Sequence, residues 1–154
     1  MRFPFIDLQA QRAVIADNVE AALKRVLEHG QFILGPEVTQ FEQQLADFEG
    51  GGHAVSCANG TDALILPLKA WGIGRGDVVF CPSWTYAATA EAIAVIGATP
   101  YFVDINPQTY NICPASLRAA INASDNPKAI IAVDLFGQPA DYPAIRAIAD
   151  EFKL

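Results

Sequence analysis

The sequence predicts an α/β fold: a mostly parallel sheet with helices on both faces. Three observations carry that expectation. Short continuous apolar runs recur at residues 53–57, 77–81, 99–103 and 129–133, the signature of strands buried on both faces. Helical-period patterns lie between them, which is the alternation that parallel sheets require. Finally, 154 residues with 52% apolar content and a positive mean hydropathy provide for a sizeable core.

The elements follow in order. Ile15, Val19, Ala22, Leu23 and Val26 share one helical face, and Gly30 stops that helix. Gly35-Pro36-Glu37 reads as a second start, with proline at the first helical position and an acid behind it. Val38, Phe41, Leu45 and Phe48 continue at helical spacing until Gly50-Gly51-Gly52. These elements form a helical segment over 1–52, and the alternating α/β part occupies 53–154. Within it, helices are expected over 62–71, 86–96, 114–121 and 141–152, with Gly72 and Gly97 as C-terminal caps. Pro67 inside the first of these should kink it.

Charge and cysteine usage narrow the partners. A net charge of -7 argues against a nucleic-acid surface. Cys57, Cys81 and Cys113 have no metal-type spacing and suit reduced thiols. No signal peptide or membrane-length apolar stretch is read, so a cytoplasmic protein is expected, with no membrane partner. His29 and His53 lack partners at metal spacing, and no metal site is expected.

In open α/β sheets, ligands bind beyond the carboxyl ends of the strands. Residues 59–62, 82–86, 104–106 and 134–138 should lie there. Asn59-Gly60-Thr61-Asp62 reads as a tight turn opening a helix, whose unpaired N–H groups and dipole favour a phosphate. The alternative is that Thr61 or Asp62 merely caps its own helix. Tyr86, beside Trp84, is placed to stack on a flat heterocycle, or simply to pack within its loop. The turn has neither a Gly-x-Gly-x-x-Gly nor a Gly-Lys-Ser/Thr pattern, so the usual dinucleotide and nucleotide loops are not expected. A phosphate seat beside an aromatic plate fits pyridoxal phosphate, and flavin mononucleotide less well.

The chain resembles the sugar aminotransferases of the DegT/DnrJ/EryC1/StrS family, of pyridoxal-phosphate fold type I. Matching segments run in family order: residues 5–11, 30–38 with Phe41-Glu42, 59–64, 74–79, 82–91, 97–100, 103–105 and 137–141. The resemblance implies the N-terminal portion of a fold type I large domain. It implies that Asn59 shapes the turn, that Gly60 and Thr61 hold the phosphate of pyridoxal 5'-phosphate, and that Tyr86 stacks on its ring. Gly30 and Phe32 match a segment lining the sugar-nucleotide site in some members. Asp104, Asp134 and Gln138 are read as loop-capping residues. The family's carboxylate beneath the pyridine nitrogen and its Schiff-base lysine have no counterpart here, so no catalytic residue is assigned. Lys24, Lys69, Lys128 and Lys153 stand outside the lysine's family context.

The resemblance also implies that the full-length parent is a homodimer that moves an amino group, with glutamate as donor, onto a keto-sugar nucleotide such as a UDP-3-keto sugar. Such chemistry serves surface-polysaccharide or amino-sugar synthesis. A truncated N-terminal part is the expected status of this chain. Two alternatives stand beside it: a non-catalytic fragment that binds phosphate or a partner, and the family's dehydratase branch. In fold type I the first strand pairs with one that comes late in the sequence. Unpaired strand edges and poor solubility are therefore expected of the chain alone.

Overall fold

A computed structural model describes residues 4–154. The chain divides into two compact units, one through Ser56 and one from Cys57 to Leu154.

The first unit holds α1 (Leu8–His29) and α2 (Pro36–Phe48). Asp7 opens α1 by accepting the Ala10 N–H at 2.9 Å. Gly30 closes it in the left-handed conformation, φ 69°, with its N–H on the Val26 carbonyl. Gly35 precedes Pro36 because nothing larger fits: a Cβ there would lie 2.5 Å from the Gln31 carbonyl oxygen. The His29 ring nitrogen Nε2 lies 3.1 Å from a Glu37 carboxylate oxygen, tying the end of α1 to the start of α2.

The second unit is the α/β part. Its sheet has three parallel strands, β1 (Val78–Pro82), β2 (Thr99–Val103) and β3 (Pro127–Ile130), in the order β2-β1-β3. β1 is central, and Val79, Phe80 and Cys81 are fully buried there. Four helices complete the unit: α3 (Gly60–Ala70), α4 (Ala88–Val95), α5 (Pro114–Asn122) and α6 (Tyr142–Phe152). On one face Leu68 of α3 and Ile93 of α4 close over Val79, Cys81 and Ala129. On the other, Leu117 and Ile121 of α5 and Ile145 and Ile148 of α6 pack on Phe80 and Val103. The alternation of side chains across the pleat sends Phe80 to one core and its neighbours to the other. The expected α/β fold with both faces covered is therefore present.

The expected strand at 53–57 is not. Those residues form no strand among the described residues, and Val55 is 83% exposed. An apolar run becomes a strand only when a neighbour accepts its backbone hydrogen bonds, which composition cannot reveal. Cys57, at the end of that run, is exposed as well. Helix α3 runs past Pro67 to Ala70, and the Trp71 N–H still reaches the Pro67 carbonyl at 3.0 Å. Gly72 and Gly97 follow the caps of α3 and α4 with φ 75° and 86°, as expected.

Candidate functional site

The site is built from the start of α3. Asn59 is its N-cap, in extended backbone, and its Oδ1 accepts the Asp62 N–H at 2.9 Å. Its Nδ2 donates to Asp62 Oδ2 at 3.2 Å, and its carbonyl accepts the Ala63 N–H at 3.1 Å. The cap is thus Asn59, two or three residues earlier than the Thr61 or Asp62 cap weighed from sequence. Satisfying Asp62 and Ala63 this way leaves the N–H groups of Gly60 and Thr61 without an acceptor among the described residues. A Cβ at Gly60 would meet nothing within 4 Å, so the space beside Gly60 is open. Two free N–H groups, the Thr61 hydroxyl and the helix dipole fit a phosphate.

Position on the sheet follows from connectivity. A short turn joins α3 to β1, and α3 packs on the face of the sheet that carries Val79 and Cys81. It therefore runs back along β1, which brings Asn59, Gly60 and Thr61 to the carboxyl edge of the sheet. Tyr86 reaches the same edge directly, four residues after β1 ends. Its ring is 80% exposed, and its carbonyl accepts the Thr89 N–H at 3.0 Å as α4 begins. The sequence placed the start of that helix at Tyr86; the helix begins at Ala88, so Tyr86 belongs to the loop. Thr85 and Thr89 hydroxyls meet at 3.0 Å and brace this loop. An exposed ring on a braced loop is free to stack on a planar group.

Gly30 and Phe32 belong to the first unit. Gly30 caps α1, and Phe32 is 69% exposed in the turn that follows. The three polar residues read as loop caps divide. Asp104 Oδ1 accepts the Ile105 N–H at 2.8 Å. Asp134 Oδ1 accepts from Ala140 N–H and Tyr142 hydroxyl, both at 2.9 Å. Gln138 contributes its backbone carbonyl, which accepts from Asn111 Nδ2 at 3.0 Å. Asn111, given no site role from sequence, is 4% exposed and bonded into the loop after β3. Among the described residues no cluster of His, Cys, Asp or Glu could hold a metal ion, and no helix is long and apolar enough to cross a membrane.

Unsatisfied N–H donors and an exposed ring thus share the carboxyl edge of an open parallel sheet. Residues 14–154 match the model of the DegT/DnrJ/EryC1/StrS aminotransferase family, and the chain belongs to that family. It is 55% identical over 148 residues to the UDP-2-acetamido-2-deoxy-3-oxo-D-glucuronate aminotransferase of Pseudomonas aeruginosa, covering 96% of this chain and 41% of that protein. It is 43% identical to the UDP-N-acetyl-3-dehydro-alpha-D-glucosamine 3-aminotransferase of Acidithiobacillus ferrooxidans, over 98% of this chain and 40% of that one. A family aminotransferase structure from Brucella abortus superposes with a TM-score of 0.94 at 51% identity, covering 97% of this chain and 42% of that chain. The NtdA structure from Bacillus subtilis, solved with bound PMP cofactor, superposes with a TM-score of 0.93 at 34% identity, over 99% of this chain and 35% of that chain. The chain therefore spans about two fifths of the length of the relatives it matches.

Proposed function

We propose that this chain is the cofactor-phosphate half of a sugar aminotransferase that uses pyridoxal 5'-phosphate. The full protein would transfer an amino group from glutamate to a keto-sugar nucleotide, a UDP-3-keto sugar in particular, working as a homodimer. The free N–H pair at Gly60 and Thr61 is the observation that carries the reading. Gly60, Thr61 and the turn shaped by Asn59 would hold the phosphate. Tyr86 would lie against the ring and shield it from water on that side. Gly30 and Phe32 would line the sugar-nucleotide site. When bound, the cofactor supplies an electron sink for breaking a bond at the amino-bearing carbon. This chain's residues bind and orient it, and no proton transfer is assigned to any of them. The UDP-3-keto substrate class rests on likeness to the two UDP-sugar aminotransferases above.

A second reading is a non-catalytic phosphate- or partner-binding fragment. It is favoured by the lysines: Lys24, Lys69, Lys128 and Lys153 are all exposed, whereas a nucleophilic lysine is activated by desolvation or a neighbouring cation. The family's dehydratase branch is a third outcome, set by a residue this chain does not contain.

The deciding experiment uses the protein extended past Leu154 along its own coding sequence, supplied with pyridoxal phosphate, glutamate and a UDP-3-keto sugar. Appearance of the amino sugar with matching 2-oxoglutarate supports the reading. Loss of a sugar hydroxyl without amination indicates the dehydratase branch, and no turnover with any keto-sugar nucleotide sinks the enzyme reading.

A further inference from the structure

The connections of the sheet define where a ligand crevice opens. From β1 the chain leaves to the α4 face and returns as β2 on one side. From β2 it crosses the α5 face and returns as β3 on the other side of β1. In sheets of this order the crevice lies between the carboxyl ends of the central strand and the strand that follows the reversal, here β1 and β3. Tyr86 stands in the loop after β1. The facing wall is the loop after β3, residues 134–140.

That loop is held in an unusual shape by a residue from elsewhere. Phe136 sits in left-handed backbone at φ 57°, followed by Gly137 at φ 79°, yet its ring is 84% exposed. An exposed ring gains little from burial, so packing of the ring does not account for the strain. Asn111 supplies the restraint. Its Nδ2 donates to the carbonyls of Gln138 and Pro139 at 3.0 and 3.1 Å, and its Oδ1 accepts the Leu135 N–H at 3.3 Å. These bonds grip both ends of the loop across 24 to 28 residues of sequence. Asn111 is itself fixed: its carbonyl accepts the Asn106 N–H at 2.9 Å, and Ile112 beside it bridges Ile105. Tyr110, also left-handed at φ 61°, meets the Phe136 ring edge-on at 6.4 Å between centroids.

We infer that Asn111 is a positioning residue for the ligand crevice: it holds the 134–140 loop so that Phe136, steadied by Tyr110, forms the wall facing Tyr86. The inference rests on the pyridoxal-phosphate reading above and adds to it a second aromatic wall for the ring-bearing part of the ligand. In this chain the phosphate end falls to the start of α3 and not to the 134–140 loop, so the two ends of the ligand are separable by experiment.

Pyridoxamine 5'-phosphate is the probe, because its amine does not condense with exposed lysines; inorganic phosphate is the control. Asn111→Asp is nearly isosteric, keeps the acceptor for Leu135 and loses both donated bonds. It should weaken pyridoxamine 5'-phosphate about tenfold or more and leave phosphate affinity within about twofold. Amide exchange at residues 135–140 should speed up in the same variant. Phe136→Ala, at an exposed position, guards against misfolding of the first variant and should show the same selective loss. Equal losses for both ligands, or no loss for either variant, overturn the inference. Failure of the unsubstituted chain to bind pyridoxamine 5'-phosphate overturns the cofactor reading and this inference with it, and is read before any variant is made.

Discussion

Substitutions at Asn59 separate a helix cap from an anion seat, because the two roles rank the variants differently. Asn59→Ala removes the acceptor that satisfies the Asp62 N–H at 2.9 Å. Loss of such a cap costs about 1 kcal/mol. For a unit the size of Cys57–Leu154 that lowers the melting temperature by about 4–8 °C. Asn59→Asp keeps the acceptor and adds a charge favourable to the helix N-terminus, worth about 0.3–1 kcal/mol. Against this it loses the Nδ2 donor and sets a second carboxylate beside Asp62, now 3.2 Å from that donor. Its melting temperature should fall between those of the unsubstituted chain and Asn59→Ala. Ligand affinity should reverse the pair: the added charge at the mouth repels phosphate, so Asn59→Asp binds pyridoxamine 5'-phosphate more weakly than Asn59→Ala. Circular dichroism melts and titration calorimetry on the three proteins give both orders. If affinity simply follows stability, with Asn59→Ala weakest in both, the turn is a cap and nothing more.

Four further outcomes follow from named contacts. Tyr86→Ala should leave the melt within about 0.5 kcal/mol, since the ring is 80% exposed, while lowering pyridoxamine 5'-phosphate affinity measured by fluorescence. Gly35→Ala should cost the first unit about 1–3 kcal/mol in urea unfolding, because its Cβ would stand 2.5 Å from a carbonyl oxygen. The Glu42 carboxyl accepts the Ser56 N–H at 2.7 Å, and that bond holds its pKa below the usual glutamate range. A lowered carboxylate pKa stabilises above the unfolded value and is lost as pH falls through the folded one, so the Ser56 amide signal should shift only on acidification past that range. Burial pushes the Cys81 thiol up to about 11, so alkylation at pH 8 followed by mass spectrometry should label exposed Cys57 and spare Cys81.

Periodicity made most of this fold readable. The apolar runs that became β1, β2 and β3 are continuous because both sheet faces are covered, helices before and after them open on caps at Asp7, Asn59 and Asp141, and Gly72 and Gly97 stand just past the ends of α3 and α4. Residues 53–57 look the same as those runs in composition yet form no strand, since pairing is a property of two segments and the sequence of one does not disclose it. At the site, Asn59, Gly60 and Thr61 were legible because a turn followed by a helical pattern has one local geometry. The left-handed Phe136 was not: phenylalanine rarely adopts that conformation, and the asparagine that imposes it lies far off in sequence. Tyr86 was singled out for its chemistry, and its loop was misjudged because Ala87 and Ala88 extend a helical pattern without a break.

The central place of β1 in the sheet also sets an order of events. Its neighbours arrive only after the chain has passed Val103 on one side and Ile130 on the other. Parallel pairing across helical crossovers is slow to nucleate. During synthesis, Val79, Phe80 and Cys81 therefore leave the ribosome well before either partner exists. In that interval a stretch that ends among the most buried of the protein exposes its apolar side chains and unpaired edges, an aggregation hazard during synthesis.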